Sequence, residues 1–285
     1  MSGLQFPKPV GHWLQVDVPG PARFWMDSCT GRDQVALSAW ADGWSAYEAP
    51  LPSLLARWCA ALNPVVVDVG ANTGFYSLLA LATGAAHVHS FEPVREIADV
   101  LRANAQMSEL TAQLDVYEMA LGEAQAMLDF HFPDASHGLM ETSASLNKAF
   151  RTRHAGSRQV PVQRLDAVLS DDVLWRGVTP NAPVLVKIDV ETHEPAVLKG
   201  ASGWWQTVRP ALVCEVLPGC DTQFFENFAQ VHDYVHYALG SNGGVDKLVS
   251  RVEATERVTP SETHRDHLFL PRSDAARWLA PLDMK

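Results

Sequence analysis

Val65-Val66-Val67-Asp68-Val69-Gly70-Ala71-Asn72-Thr73-Gly74 is a β-branched apolar run ending in an acid and two glycines, and the helix-like stretch Phe75 to Leu81 follows directly. Apolar β-branched residues suit a buried strand, and glycines permit the sharp turn that lets a helix begin behind it. A strand that breaks this way aims backbone N–H groups and a positive helix end at one place, where proteins commonly hold a cofactor. The spacing Asp-x-Gly-x-Asn-x-Gly lacks the Gly-x-Gly-x-x-Gly of a dinucleotide fingerprint and the Gly-Lys-Ser/Thr ending of a phosphate loop. It points to an enzyme holding a nucleotide-like ligand without a phosphate chain.

Outward from this segment, strand-like runs at 65–69, 86–91, 114–118, near 127–131, 184–189, 211–216 and 267–270 alternate with helix-like runs at 75–82, 94–107, 194–201 and 222–230. Such alternation predicts an α/β fold, a mostly parallel sheet covered by helices on both faces, with ligands at the carboxyl ends of its strands. A lead-in helix from Ser53 to Leu62 ends at Asn63-Pro64. Short alternating runs at Trp13 to Val18, Arg23 to Met26 and Val35 to Ala39, separated by turn residues, predict a small antiparallel β element. The organisation expected is an N-terminal β extension or cap over 1–50 and a catalytic domain over 51–285. Within 131–159 the periodicity fails, and this connection reads as disordered or, preferably, as a lid or substrate loop.

With 285 residues, 47% of them hydrophobic, the chain can bury a full α/β core. The balance of 22 Lys+Arg against 33 Asp+Glu gives a formal charge of -11, which repels polyphosphate backbones and argues against a nucleic-acid partner, a local basic patch at Arg151, Arg153 and Arg158 notwithstanding. Cys29, Cys59, Cys214 and Cys220 form no Cys-x-x-Cys pair, so neither a zinc site nor a disulfide framework is signalled. No stretch reaches the roughly 18 apolar residues of a membrane span, and no signal-peptide pattern opens the chain. A soluble, cytoplasmic protein without a membrane partner is expected, and a homo-oligomer is compatible with the sequence. Trp13, Trp25, Trp40, Trp44, Trp204 and Trp205 are expected mostly in packing, with one or two available to stack on a ligand.

Several polar groups fall at the expected strand tips. Glu92, in Phe91-Glu92-Pro93, follows the second strand, where a carboxylate accepts both hydrogens of a ribose diol; it also suits a helix start. Asp68 closes the first strand, Gly70 and Gly74 allow close backbone approach, and Asn72 and Thr73 are also helix-cap types. In Val184-Leu185-Val186-Lys187-Ile188-Asp189-Val190-Glu191-Thr192-His193-Glu194, the period of two puts Lys187, Asp189 and Glu191 on one face at a strand tip.

Taken together, these blocks resemble the FkbM-type branch of class I S-adenosylmethionine-dependent methyltransferases. The matching residues are 66–74, 91–93, Ala120-Leu121-Gly122, Leu165-Asp166, 187–191 with Glu194, Leu198-Lys199-Gly200-Ala201, and Arg209-Pro210 before Glu215, covering about 64 to 217. The resemblance implies a Rossmann-like seven-stranded sheet, S-adenosyl-L-methionine at its first strand tips, and O-methylation of a small molecule such as a sugar, a polyketide or another secondary metabolite. It implies cofactor contacts from Asp68, Gly70, Asn72, Gly74 and Phe75, from Glu92 at the ribose, from Glu118, Met119 and Ala120 at the adenine, and from Asp189 near the sulfonium. Thr192 departs from the family, which usually has Gly there.

A hydroxyl acceptor needs a general base, and His193 is the first candidate, with Asp189 or Glu191 to orient it or to act instead. His137 and His154 are alternatives. A Mg²⁺ site of Asp189, Glu191 and Glu215 is a further alternative and not favoured. Two other functions fit less well: a non-catalytic S-adenosylmethionine-binding accessory subunit, and a nicotinamide-dependent oxidoreductase.

Overall fold

Four fully buried strands explain the centre of the molecule. In the computed structural model, β3 (Val65–Val69), β4 (His87–Phe91), β9 (Val184–Ile188) and β10 (Ala211–Glu215) are buried along their whole lengths, as parallel strands covered on both faces must be. The structure describes residues 6, 8–20, 22–133, 144–150, 154–180, 182–240, 247–250 and 265–282.

The remaining strands are β1 (Trp13–Asp17), β2 (Arg23–Asp27), β5 (Leu114–Tyr117), β6 (Ala120–Leu121), β7 (Ala126–Pro133), β8 (His154–Gln163), β11 (Tyr234–Gly240), β12 (Lys247–Ser250) and β13 (Asp266–Pro271). The helices are α1 (Gln34–Ala41), α2 (Leu51–Leu62), α3 (Phe75–Thr83), α4 (Arg95–Met107), α5 (Leu165–Val168), α6 (Asp171–Leu174), α7 (Glu194–Lys199), α8 (Trp204–Thr207), α9 (Thr222–His232) and α10 (Ala275–Leu279).

The main sheet has the order β12-β11-β13-β10-β9-β3-β4-β5. From β5 to β10 the pairs are parallel, and β13, β11 and β12 continue it antiparallel. The expected seven-stranded, mostly parallel sheet is therefore present, with β12 added as a short eighth strand at one edge. Period-two alternation gives each face its own core. Val66, Val88 and Leu185 pack with α2 and α3, whereas Val65, Val67, Val186 and Leu212 pack with Leu165, Trp205 and Phe225 on the other face.

The structure departs from the sequence reading at two places. Val35 to Ala39, read as strand, belongs to helix α1: Asp33 Oδ1 accepts from the Ala36 N–H at 3.1 Å, and Val35, Ala36 and Ala39 are the buried positions. In so short a run a helical stripe and a strand alternation cannot be told apart by period. The N-terminal β element is thus the β1–β2 hairpin followed by a helix. The strand near 127–131 is β7, which lies outside the main sheet in a three-stranded sheet of order β6-β8-β7. Both ends of the segment read as irregular, 131–159, are strand, because β7 and β8 pair antiparallel from Ala126↔Val162 to Pro133↔His154. Arg151, Arg153 and His137 lie outside the described residues. Arg158 makes a two-pronged bond to Glu96 at 2.6 and 3.0 Å.

Of the tryptophans singled out in the sequence, Trp204 and Trp205 are buried, Trp13, Trp25 and Trp44 half-buried and Trp40 exposed, whereas Trp58 and Trp278 are fully buried in the core. The Trp58 indole N–H donates to the Trp278 carbonyl at 2.8 Å and ties the C-terminal α10 to α2. Among the described residues no helix is long and apolar enough to cross a membrane.

Candidate functional site

The turn after β3 is held open by contacts within the protein. Gly70 has φ +83°, and a Cβ there would stand 1.9 Å from the Asp189 carbonyl oxygen, so its glycine lets the turn pass beside the end of β9. Gly74 caps α3 at φ +98° and faces Leu101 of α4. The Asn104 amide group binds the Thr73 carbonyl at 2.8 Å, and its oxygen accepts from the Asp27 N–H at 2.7 Å, joining the turn to the β1–β2 hairpin.

Glu92, only 6% exposed, closes the turn from the other side. Its Oε2 accepts from the Asn72 N–H at 3.1 Å and its Oε1 from the Val94 N–H at 2.8 Å. It therefore does what a helix-start acid does, and each oxygen keeps a lone pair for a ligand. Burial pushes its pKa up to about 7, against the pull of those two N–H donors.

Two cavities meet at this turn. The inner crevice is walled by Ile97, Met119, Leu121, Phe130 and Leu146, with Glu92 at its rim. The outer cavity, about 690 Å³, falls within the roughly 300–1,000 Å³ of ordinary ligand pockets and is polar, lined by Tyr47, Glu48, Tyr76, Lys187, Glu215 and Arg265 among others. Gly70, Asn72, Asp189 and Glu191 line both.

The junction is strongly charged. Lys187 Nζ donates to Asp189 Oδ2 at 3.1 Å and lies 4.6 Å above the Tyr76 ring centre. Burial alone would raise the Asp189 pKa, but the Lys187 ammonium and then Arg265 outweigh it and hold the carboxyl below its usual range. Burial likewise opposes the Lys187 charge, and Asp189, Asp68 and Glu48 more than offset it, so the ammonium titrates above its usual range. Glu215 goes the other way: burial, then Asp189 and Glu191, push it up to about 11, although Arg265 sits 2.9 Å from Oε1. It is held as a neutral acid, with Oε2 buried and without a hydrogen-bond partner. Glu48 accepts from the Tyr76 hydroxyl at 2.8 Å and from Arg265 at 3.0 Å.

Beyond β9 the chain turns back through two left-handed residues, Glu191 at φ +54° and Thr192 at φ +74°. The second is where the resembling family usually has Gly, and this backbone is the physical reason for that preference. Here Thr192 is held by the Asn147 amide, which donates to its Oγ1 at 2.8 Å, while the Ser145 hydroxyl donates to the Glu191 carbonyl at 2.6 Å. Glu194 Oε1 accepts from the N–H groups of Val190 and Thr192, both at 3.1 Å.

The residues singled out from sequence thus fall into three groups. Gly70, Asn72, Glu92, Met119, Ala120, Asp189, Glu191 and His193 all border the inner crevice. Phe75 borders the outer cavity, its ring also packing on Phe24, Tyr47 and Tyr76, and Glu215 lies there too. Asp68, Gly74 and Glu118 border neither. Asp68 is buried behind the turn, accepting from the Ser77 hydroxyl at 2.6 Å, and Glu118 turns away to pair with Arg102 at 2.7 Å. His193 stands at the start of α7 with Nε2 buried and unpartnered, and burial lowers its pKa; neither Asp189 nor Glu191 bonds to it. His154 donates from Nε2 to the Lys148 carbonyl at 3.0 Å, outside both cavities. Among the described residues no tryptophan lines either cavity; the aromatic lining of the outer one is Tyr47, Phe75, Tyr76 and Phe150. Glu48, Tyr76 and Arg265 went unnoticed in the sequence: Glu48 and Arg265 come from segments with no motif of their own, and Tyr76 stands inside a helix that reads as packing.

A sheet with helices on both faces, a glycine turn after its first parallel strand and an acid after the next defines a doubly wound α/β protein. The family model described as the methyltransferase FkbM domain matches residues 68–242, and the chain belongs to that family. It is 28% identical over 162 residues to the hexuronic acid methyltransferase AglP of Haloferax volcanii, covering 56% of this chain and 58% of that protein. It is 27% identical over 172 residues to the methyltransferase sdnD of Sordaria araneosa, covering 53% of this chain and 66% of that one. The chain thus spans less than two thirds of the length of either relative. Among solved structures, methyltransferase FkbM from Methylobacillus flagellatus aligns at 18% identity with a TM-score of 0.46, covering 72% of this chain and 43% of that chain.

Proposed function

We propose that the protein transfers a methyl group from S-adenosyl-L-methionine to a hydroxyl oxygen of a small polyhydroxylated molecule, a sugar, polyketide or other secondary metabolite. The observation that carries this reading is the meeting of an apolar crevice, with a carboxylate at its rim, and a polar cavity at the carboxylates Asp189 and Glu191. The crevice has the chemistry for a purine and ribose, with apolar side walls and Glu92 lone pairs for a diol; at about 60 Å³ it has to widen to admit them. The described residues lining it include no Lys or Arg, which argues against the phosphates of a nicotinamide dinucleotide. Family membership and the printed activities of the two relatives, one acting on a hexuronic acid, support methyl transfer to a small molecule.

When bound, the cofactor supplies a methyl group that is already electrophilic, so the chain's task is to hold the acceptor in line and to remove its proton. Asp189, kept ionised by Lys187, complements the positive charge of a sulfonium and is too weak a base for the proton. His193 borders the inner crevice and not the outer cavity. Glu191 borders both and is the group we assign to proton removal. Glu215, held neutral, offers a hydrogen-bond donor to the acceptor. The Mg²⁺ alternative is disfavoured because Lys187 already pairs with Asp189 and Glu215 keeps its proton.

Incubation with methyl-labelled cofactor and a panel of hydroxylated metabolites, hexuronic acids included, tests the reading. Label is expected on an acceptor oxygen. Glu191→Gln is expected to lower kcat by about 10²–10⁴-fold with cofactor affinity nearly unchanged, as for loss of a general base, whereas Asp189→Asn is expected to weaken both. Tight cofactor binding with no transfer to any acceptor, unchanged in both variants, would instead favour an accessory subunit.

A further inference from the structure

A second cluster of chemically able side chains lies at the start of the strands, away from the crevice. His87 and His89 alternate on β4 and so project from the same face, and Asp115 on β5 is the direct cross-strand partner of His89. His87 Nε2 is 3.1 Å and His89 Nδ1 3.6 Å from the single oxygen Asp115 Oδ2, and these three atoms all lie within 4.8 Å of one another. Zinc bonds of about 2.0–2.1 Å in a tetrahedral shell set neighbouring ligand atoms about 3.3 Å apart. The spacing of two imidazole nitrogens and one carboxylate oxygen therefore needs little adjustment to surround an ion.

The tautomer of His89 supplies an independent argument. Its Nε2 faces the Leu174 carbonyl at 3.4 Å, and a carbonyl only accepts, so the ring proton sits on Nε2 and the lone pair on Nδ1 points into the cluster. An outer nitrogen donating to a backbone carbonyl is the usual support of a metal-bound imidazole. His89 is wholly buried. Its Nδ1 and the Asp115 carboxylate face one another across a gap that suits a cation. Arg176 approaches Asp115 at 3.8 Å, but its side chain is 61% exposed and can rotate into solvent. The Tyr117 hydroxyl, 3.2 Å from His89 Nδ1, is the competing proton donor.

We propose that His87, His89 and Asp115 form a zinc-class transition-metal site that ties β4 and β5 together and, through Leu174, the end of α6. The fourth position is left to water or the Tyr117 oxygen. No Cys or Cys-pair signal marks it in the sequence; the His-x-His on one strand becomes a site only because the parallel register brings Asp115 beside it.

Untagged full-length protein, stripped with a chelator and then given Zn²⁺ alone, tests this by metal analysis after gel filtration, with Co²⁺ absorption reporting the coordination geometry. The wild type is expected to retain about one equivalent, to show tetrahedral Co²⁺ bands and to gain thermal stability on adding Zn²⁺. His87→Gln and Asp115→Asn, each close in size to the residue it replaces and checked for folding by circular dichroism, are expected to weaken Zn²⁺ binding at least about tenfold, the loss seen even for outer supports of a metal. His154→Gln, a surface control, is expected to bind like wild type. Failure of the wild type to retain zinc, or equal affinity in His87→Gln and Asp115→Asn, would overturn the site and leave the Tyr117 hydroxyl as the partner of His89.

Discussion

At the scale of single residues, Glu92 carries the most consequence. Its carboxyl is raised from the ordinary 4.5 to about 7, first by burial. A raised carboxylate contributes stability that is complete below 4.5 and is lost as pH rises through 7, since the folded state then gives up a proton it holds more tightly than the unfolded chain does. Glu194 is raised to about 7 for the same first reason and acts in the same window. The ligand-free protein is therefore expected to lose thermal stability between pH 5 and 8, with a shallower slope in Glu92→Gln, measured by calorimetry across that range. A ribose diol donates to the ionised carboxylate, so cofactor binding is expected to tighten over the same interval with release of a proton, seen as a buffer-dependent binding enthalpy. Glu92 and Gly70 were legible in sequence because each sits in a local pattern, acid after strand or glycine in a turn. The reason for Gly70 was not: its neighbour is the Asp189 carbonyl, 119 positions on, which only strand pairing brings near.

At the scale of elements, the inner crevice depends on pieces that do not belong to the main sheet. The sheet of β6, β8 and β7, with 144–150 beside it, contributes Phe130, Ala144 and Leu146 to the crevice wall. It is fastened to α4 by Arg158 on Glu96, a pair about a third exposed on each side. Exposed pairs contribute about 0.2–1 kcal/mol, so Arg158→Ala is expected to cost little global stability yet to weaken cofactor binding by loosening that wall. Denaturant unfolding and binding titration of the same variant compare the two effects. The main strands and α2 to α4 were legible because they are long, periodic and bounded by Asn, Gly or Pro. The second sheet was not. β8 reads His-Ala-Gly-Ser-Arg-Gln and has an exposed or half-buried first half, so no hydrophobic alternation announces it. α1 was misjudged because five residues cannot fix a period, while its cap, Asp33, reveals itself only through its bond to Ala36.

At the scale of the whole molecule, one arrangement gathers residues from distant parts of the chain: Tyr47 and Glu48 from the α1–α2 connection, Lys187, Asp189 and Glu191 around the end of β9, Glu215 ending β10, and Arg265 before β13 all meet over the glycine turn. The parallel order puts the ends of β3, β9 and β10 on one edge, which is the general location of ligands in doubly wound sheets. Sequence alone located that edge but not the outer cavity, whose Glu48 and Arg265 are 217 residues apart. Equilibrium dialysis of S-adenosyl-L-methionine against folded wild-type and Glu92→Ala protein bears most directly on the proposed adenosine crevice. Saturable binding by the wild type, weakened at least about tenfold in the variant, is the expected result, tenfold being about 1.4 kcal/mol. Folded wild type that binds nothing at millimolar ligand, or a variant that binds as tightly, would contradict it.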